Sequence, residues 1–297
     1  MLFASAALRT ARSGYDEERA LRALRFPTGN WMRRLSAATF SSILALVLTL
    51  GSRPVFAQGG PPLLTDDPDT PGPRHWEINL SLFREWSRDS RLSEIPRLDV
   101  NYGVGRRLQL KVEAPYLAKE DDGARGVAGP GDMVAGVKWR FLGQEGQHVA
   151  WSIYPQYEFS TAHASVAKGL VEDGHALLLP TELTLEVHPI ELGFEVGRNF
   201  SSGGPDEWLY GVATEAGVTR RLELLGEIHG EKGDGATELI VNGGARYQAT
   251  SRLTVMLAVG HAVHGSPADR PRLLVYAGLQ VNAPDRFDFS PPHRQAR

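Results

Sequence analysis

Gly131–Leu142 reads GDMVAGVKWRFL, and it alternates. Met133, Ala135, Val137, Trp139 and Phe141 interleave with Asp132, Val134, Gly136, Lys138 and Arg140. Successive side chains of an extended strand point to opposite faces, so this segment carries one apolar and one charged face. Two environments suit such a strand. A soluble sandwich turns the apolar face into its core, whereas a membrane barrel turns it into lipid and keeps the charged face inside.

The same period recurs along the chain. His75–Trp86, Arg97–Tyr102, Arg107–Leu117, Val149–Phe159, Leu179–Val187 and Ile190–Val196 alternate in this way, and Trp208–Val218, Leu222–His229, Leu239–Tyr247, Leu253–His261 and Leu273–Val281 follow. With the opening segment they predict about twelve strands, most near the ~9–11 residues that cross a bilayer at a tilt. Short breaks at Gly103–Gly105, His188–Pro189, Thr219–Arg220 and Ala249–Ser251 alternate with longer polar ones at Ala118–Pro130, Ser160–Gly174, Ser201–Glu207, Gly230–Ala236 and Val263–Arg270. Tight turns at one end and longer loops at the other are the pattern of an up-and-down barrel.

Met32–Ala57 has the make-up of a signal peptide: basic Arg33 and Arg34, the apolar run Ile43–Leu50, then Val55 and Ala57 before a cleavage point. Residues 1–31 are an unusual leader, and Met32 is the expected true start. Residues 1–57 hold eight arginines against three acids, so the remaining chain is acidic, with a net charge of about -8. An acidic chain with no basic cluster is not a nucleic-acid binder. The chain has no cysteine, which removes disulfides and thiolate chemistry. Residues 58–74 are rich in Pro, Gly and Asp and predict an irregular lead-in that could plug a lumen. The barrel is expected over residues 75–281, followed by a polar tail over 282–297. That tail carries Phe287 and Phe289 near its end, without the terminal aromatic that many outer-membrane barrels present.

The signal peptide, the even strand count and the aromatics near strand ends favour an antiparallel transmembrane barrel over a periplasmic sandwich. Trp76, Trp86, Trp139, Phe141, Trp151, Tyr157, Phe159 and Trp208 lie where interfacial girdles form. On the opposite faces, Glu77, Asp99, Lys111, Glu113, Asp132, Lys138, Arg140 and Glu158 are expected to line the lumen. Glu182, Glu186, Glu195, Glu215, Glu223, Glu227, Glu238 and Arg246 join them. Most should pair across a narrow interior and hold it together. Their acid excess favours cations or neutral solutes if the lumen conducts.

Two segments resemble a known family. Thr65-Asp66-Asp67 ahead of Trp76-Glu77, and Gly131-Asp132 with Lys138-Trp139-Arg140-Phe141, are similar to the outer-membrane transporters labelled "MetA-pathway of phenol degradation". The resemblance runs over roughly residues 61–281. It implies an outer-membrane β-barrel with a role in uptake of small aromatic or apolar solutes.

Catalytic readings fare worse. No G-x-S-x-G is present, and His148 and Ser152 stand roughly 13 Å apart at ~3.3 Å per residue. His261 and His264 point oppositely on an extended chain, and Glu120–Asp122 and Asp66–Asp69 read as solvated acidic loops. The expectation is no enzyme, no metal and no cofactor. The expected partners are outer-membrane lipid and a small-molecule solute, with a non-conducting structural or binding barrel as the alternative.

Overall fold

The computed structural model describes residues 60–143, 147–233, 237–267 and 270–284. The signal-peptide reading, the leader before it, and Phe287 and Phe289 lie outside these described residues. The strand segments are β1 (His75–Trp86), β2 (Ser90–Val104), β3 (Leu108–Asp121), β4 (Val127–Pro130), β5 (Met133–Leu142), β6 (Val149–Ile153) and β7 (Gln156–Phe159). They continue as β8 (Ala176–Val187), β9 (Ile190–Ser201), β10 (Glu207–Gly217), β11 (Leu222–Lys232), β12 (Thr237–Gln248), β13 (Leu253–His264) and β14 (Leu273–Pro284).

These segments make twelve staves. β4 and β5 both pair with β3, as two halves of one interrupted strand. β6 and β7 likewise share the place between β5 and β8. Every other stave pairs antiparallel with its sequence neighbours, and β1 closes the sheet on β14 from His75↔Pro284 to Trp86↔Leu273. Closure removes the unpaired edges that lipid could not satisfy.

The solvent question posed by GDMVAGVKWRFL has a direct answer. Val137 and Trp139 are 45% and 47% exposed, while Lys138 between them is 2% exposed. Around the barrel, Leu110, Val196, Val212, Ile228 and Leu257 face outward, and Glu113, Glu195, Glu215 and Glu227 are buried inside. Apolar residues outside and charges inside invert the arrangement of a soluble domain. Only lipid makes that exterior favourable, so the sandwich alternative fails.

Aromatics collect toward both ends of the staves. At the end bearing the short turns, Trp76 packs on Tyr102 with centroids 4.5 Å apart, and Phe141 lies between Trp139 and Trp151 at 5.7 and 5.3 Å. At the loop end, Tyr157 meets Phe159 edge-on at 4.8 Å. Arg198 there stacks over Trp208, and Arg84 over Trp86.

Several strands run past their sequence-based bounds. β3 continues to Asp121 and β11 to Lys232, leaving shorter loops than the composition implies. Cross-strand ladders need no apolar face beyond the bilayer, and exposed pairs such as Arg91–Glu120 at 3.5 Å decorate this extension. β14 likewise runs past Val281 to Pro284. β2 differs most: the expected strand begins at Arg97, yet the observed one starts at Ser90 and passes through Pro96. The register shifts between Glu94 and Arg97, where a bulge sets Ile95 and Pro96 outside. The extra residue lets Glu94 and Arg97 both point inward, 3.1 Å apart.

The interior is not uniformly polar. Phe83, Ile240, Met256, Leu274 and Tyr276 form a buried apolar cluster on β1 and β12–β14, and Leu64 packs against it from within.

Candidate functional site: the lumen and the segment inside it

Residues 60–74 do not trail into solvent. Leu63 and Thr65 are buried to 3% and 1% exposure, and Pro62 and Pro68 are fully enclosed. Leu63 packs on Ala213 and Leu225, two inward side chains of β10 and β11. A peptide buried this way must satisfy its N–H and C=O groups, and the wall supplies the partners. The Leu64 and Thr65 N–H groups both donate to the Glu227 carboxylate, at 2.8 Å each to the nearer oxygen. The Asp66 N–H donates to Glu195 Oε2 at 2.9 Å. Arg246 donates to the carbonyls of Pro61 and Gly60 at 3.0 and 3.1 Å.

The side chains of the segment face the other wall. Asp66 Oδ1 lies 2.9 Å from Lys138 Nζ, and Asp69 Oδ1 lies 2.7 Å from Arg140. Lys138 also donates to the Asp67 carbonyl and stands 3.5 Å from Glu182, with its ammonium 4.6 Å above the Tyr154 ring. Burial alone would raise the Asp66 carboxyl, but the Lys138 and Lys111 ammonium groups outweigh it and hold it below its ordinary value of 3.8. Asp66–Asp69 are therefore ion-paired inside the barrel and are not the solvated loop their composition implies. A segment rich in Asp and Pro has no periodicity to betray such a role.

Wall glycines make room for the segment. A Cβ on Gly211 would stand 2.2 Å from Thr65 Oγ1, and one on Gly103 would fall 1.7 Å from the Gly72 carbonyl oxygen. Two small cavities flank the segment, a polar one of about 40 Å³ and a mixed one of about 50 Å³. Each has space for a few waters.

The remaining sequence-derived residues separate into groups. Arg246 pairs with Glu215 and Glu223 at 3.0 and 3.2 Å. Lys111 pairs with Glu113 and Asp99 at 3.0 and 3.8 Å. Glu182 accepts from Ser152 at 2.6 Å, and Glu77 accepts from Asn79. Glu238 is buried and Glu158 half-buried on inward faces. Two residues have other contacts. Asp132 accepts the N–H groups of Thr161 and Ala162 at 2.7 and 2.8 Å, holding the loop that contains the helical turn His163–Val166 (α1). Glu186 sits at the turn-end rim, 3.3 Å from the exposed His148.

Sequence reasoning passed over other buried groups. Arg97 bridges Glu94 and Glu113, and Gln109 donates to Asn101 at 2.7 Å and to Tyr154. His229 is fully buried, 3.7 Å from Glu231. Arg97, Gln109 and His229 sit on the polar face of their strands, so period two could have found them; Glu94 needed the bulge. His148 and Ser152 bond to different carboxylates and form no dyad, while His261 and His264 are exposed at the loop end of β13.

An apolar exterior, a charged interior and full closure define a transmembrane antiparallel β-barrel of the outer-membrane type. No family model matches the chain, and no curated protein does. Among solved structures it is similar to an outer membrane channel from Pseudomonas putida F1, at 10% identity with a TM-score of 0.61. That alignment covers 76% of this chain and all of the channel. The NanC porin is similar at 9% identity and a TM-score of 0.49, over 69% of this chain and 98% of that one. The CymD monoaromatic hydrocarbon channel gives 8% and 0.40, over 71% and 88%. The first of these shares the barrel fold; the other two are too distant to carry weight.

Proposed function

We propose that this chain is an outer-membrane channel for small solutes, exported by cleavage after Ala57, with residues 60–74 as an internal plug. The observation that carries the proposal is the lumen itself: a charged interior with small cavities, enclosed by a lipid-compatible wall. The likeness of the fold to that of the Pseudomonas channel supports it. The short turns, the start of β1 and the end of β14 would face the periplasm, and the longer loops the exterior.

In this reading most lumen charges hold the wall and the segment in place. Arg97, Lys111 and Arg246 are already paired within the barrel, which leaves Lys138 and Arg140 as the cations committed mainly to the segment. The resemblance to the "MetA-pathway of phenol degradation" transporters supports small aromatic or apolar solutes as cargo. Liposome swelling with phenol-sized solutes against polar solutes of equal size tests that cargo. Planar-bilayer recording tests conduction, and fractionation with a heat-modifiable gel shift tests the location.

The docked segment favours one second reading, a non-conducting barrel whose loops meet a partner. Permeability indistinguishable from empty liposomes, with and without the segment, would establish that reading instead.

A further inference from the structure

We infer that the lumen between β5 and β9 is a binding site for a zwitterionic solute of amino-acid size, which Asp66 of the chain's own segment occupies here. Asp66 touches both walls. Its N–H donates to Glu195 Oε2 at 2.9 Å, and its carboxylate meets Lys138 Nζ at 2.9 Å. Glu195 is 5% exposed and Lys138 2%, so both partners are built into the interior. The path from the nitrogen of Asp66 through Cα and Cβ to the carboxyl carbon is the path from ammonium to carboxylate in β-alanine. One aspartate spans the gap, and a free zwitterion with that spacing would span it too.

The charges favour the free solute. The hydrogen-bond donor on Glu195 is a neutral amide, with the Lys138 and His229 charges farther off, and an ammonium donor in its place makes a stronger, charge-assisted bond. On the facing wall, Lys138 and Arg140 draw partners from the segment: Asp66, and Asp69 at 2.7 Å. A carboxylate solute replaces the first without rearranging the wall. A cavity of about 40 Å³ already adjoins this place, lined by Lys138, Lys111, Tyr154 and Gln109 and, on the wall, by the carboxylates Glu77 and Asp99. The solute therefore competes with the segment, and binding should release it. This goes beyond the channel reading and its aromatic or apolar cargo, and rests on that reading only for how the solute arrives.

The native chain has no cysteine, so a Leu63→Cys variant reports on the segment alone. Leu63 is 3% exposed when docked, and its reaction with a water-soluble maleimide should be slow. β-Alanine should accelerate labelling of the detergent-solubilised protein saturably, whereas propionate or propylammonium at equal ionic strength should not. Adding Glu195→Gln keeps an acceptor for the Asp66 amide but removes the charge facing an ammonium. The half-saturating concentration should then rise about tenfold or more. Hydrogen exchange of the Leu64–Asp66 amides in the unaltered protein, with and without β-alanine, gives the same readout if the cysteine variant misfolds. Indifference to β-alanine, equal acceleration by propionate, or an unchanged concentration in the Gln variant overturns the inference. Conduction without a labelling response sinks only this site; a labelling response without conduction sinks only the channel.

Discussion

Lys138→Met removes the cation that joins the segment to the wall. Lys138 Nζ stands 2.9 Å from Asp66, 3.5 Å from Glu182 and 3.9 Å from Asp67, and the side chain is 2% exposed. Methionine keeps the unbranched shape, one atom shorter, and leaves three carboxylates without their shared counter-charge. Breaking a buried pair in this way costs ~3–5 kcal/mol. Glu182 is held in β8 and cannot leave, but Asp66 and Asp67 can reach water if the segment undocks, so the cost falls on docking. Asp66 keeps 26% of its side chain exposed, which places the effect at the low end of that range. At about 1.4 kcal/mol per tenfold, undocking becomes roughly a hundredfold more frequent. Hydrogen exchange with mass spectrometry reads this on the Leu64, Thr65 and Asp66 amides, whose acceptors are Glu227 and Glu195. Those amides should exchange about a hundred times faster, while the β5 ladder keeps its protection. Adding Asp66→Asn should recover part of the protection by removing one stranded charge. Unchanged protection in Lys138→Met refutes the latch. Loss of protection in the segment and in β5 together would mean that Lys138 supports the wall instead.

Four further outcomes follow from the same geometry. Gly211→Val places a side chain where Thr65 sits, 2.2 Å from Oγ1, and should expel the segment and raise single-channel conductance in planar bilayers; conductance equal to the unaltered protein counts against a plug. Leu257→Lys puts a charge on an outward position that is 55% exposed, and should destabilise the folded barrel by ~2–4 kcal/mol near the membrane midplane. Urea titration in lipid vesicles measures it, and a neutral effect would contradict a lipid-facing β13. Arg97→Ala strands Glu94 and leaves Glu113 with Lys111 alone, and should cost about 3 kcal/mol in the same titration. For Asp66, whose carboxyl is held below 3.8, docking stability is present above that value and falls as pH drops through the lowered one. Its contribution, isolated as the difference between the unaltered protein and Asp66→Asn, should shrink in acid; a difference that grows there would reverse the sign of the Lys138 interaction.

Period two along GDMVAGVKWRFL and its eleven companions was enough to separate buried from exposed side chains, because a strand has only two faces and each meets one environment. Glu113, Glu195 and Arg246 on one side, and Trp139 and Trp208 on the other, were legible for that reason. The pattern was blind wherever backbone geometry departs from strict alternation. The expected strand began at Arg97, and only the bulge beside Pro96 shows that Glu94 and Arg97 share the interior. Asp66, Asp67 and Asp69 were harder still. An irregular Asp- and Pro-rich stretch has no face, so its charges read as solvent-exposed until the closed wall surrounds them. Alternation is a local property that each strand carries alone. The meeting of Asp66 with Glu195 on one wall and Lys138 on another exists only once twelve staves close around the segment, since residues far apart in sequence reach a few ångströms only through that closure.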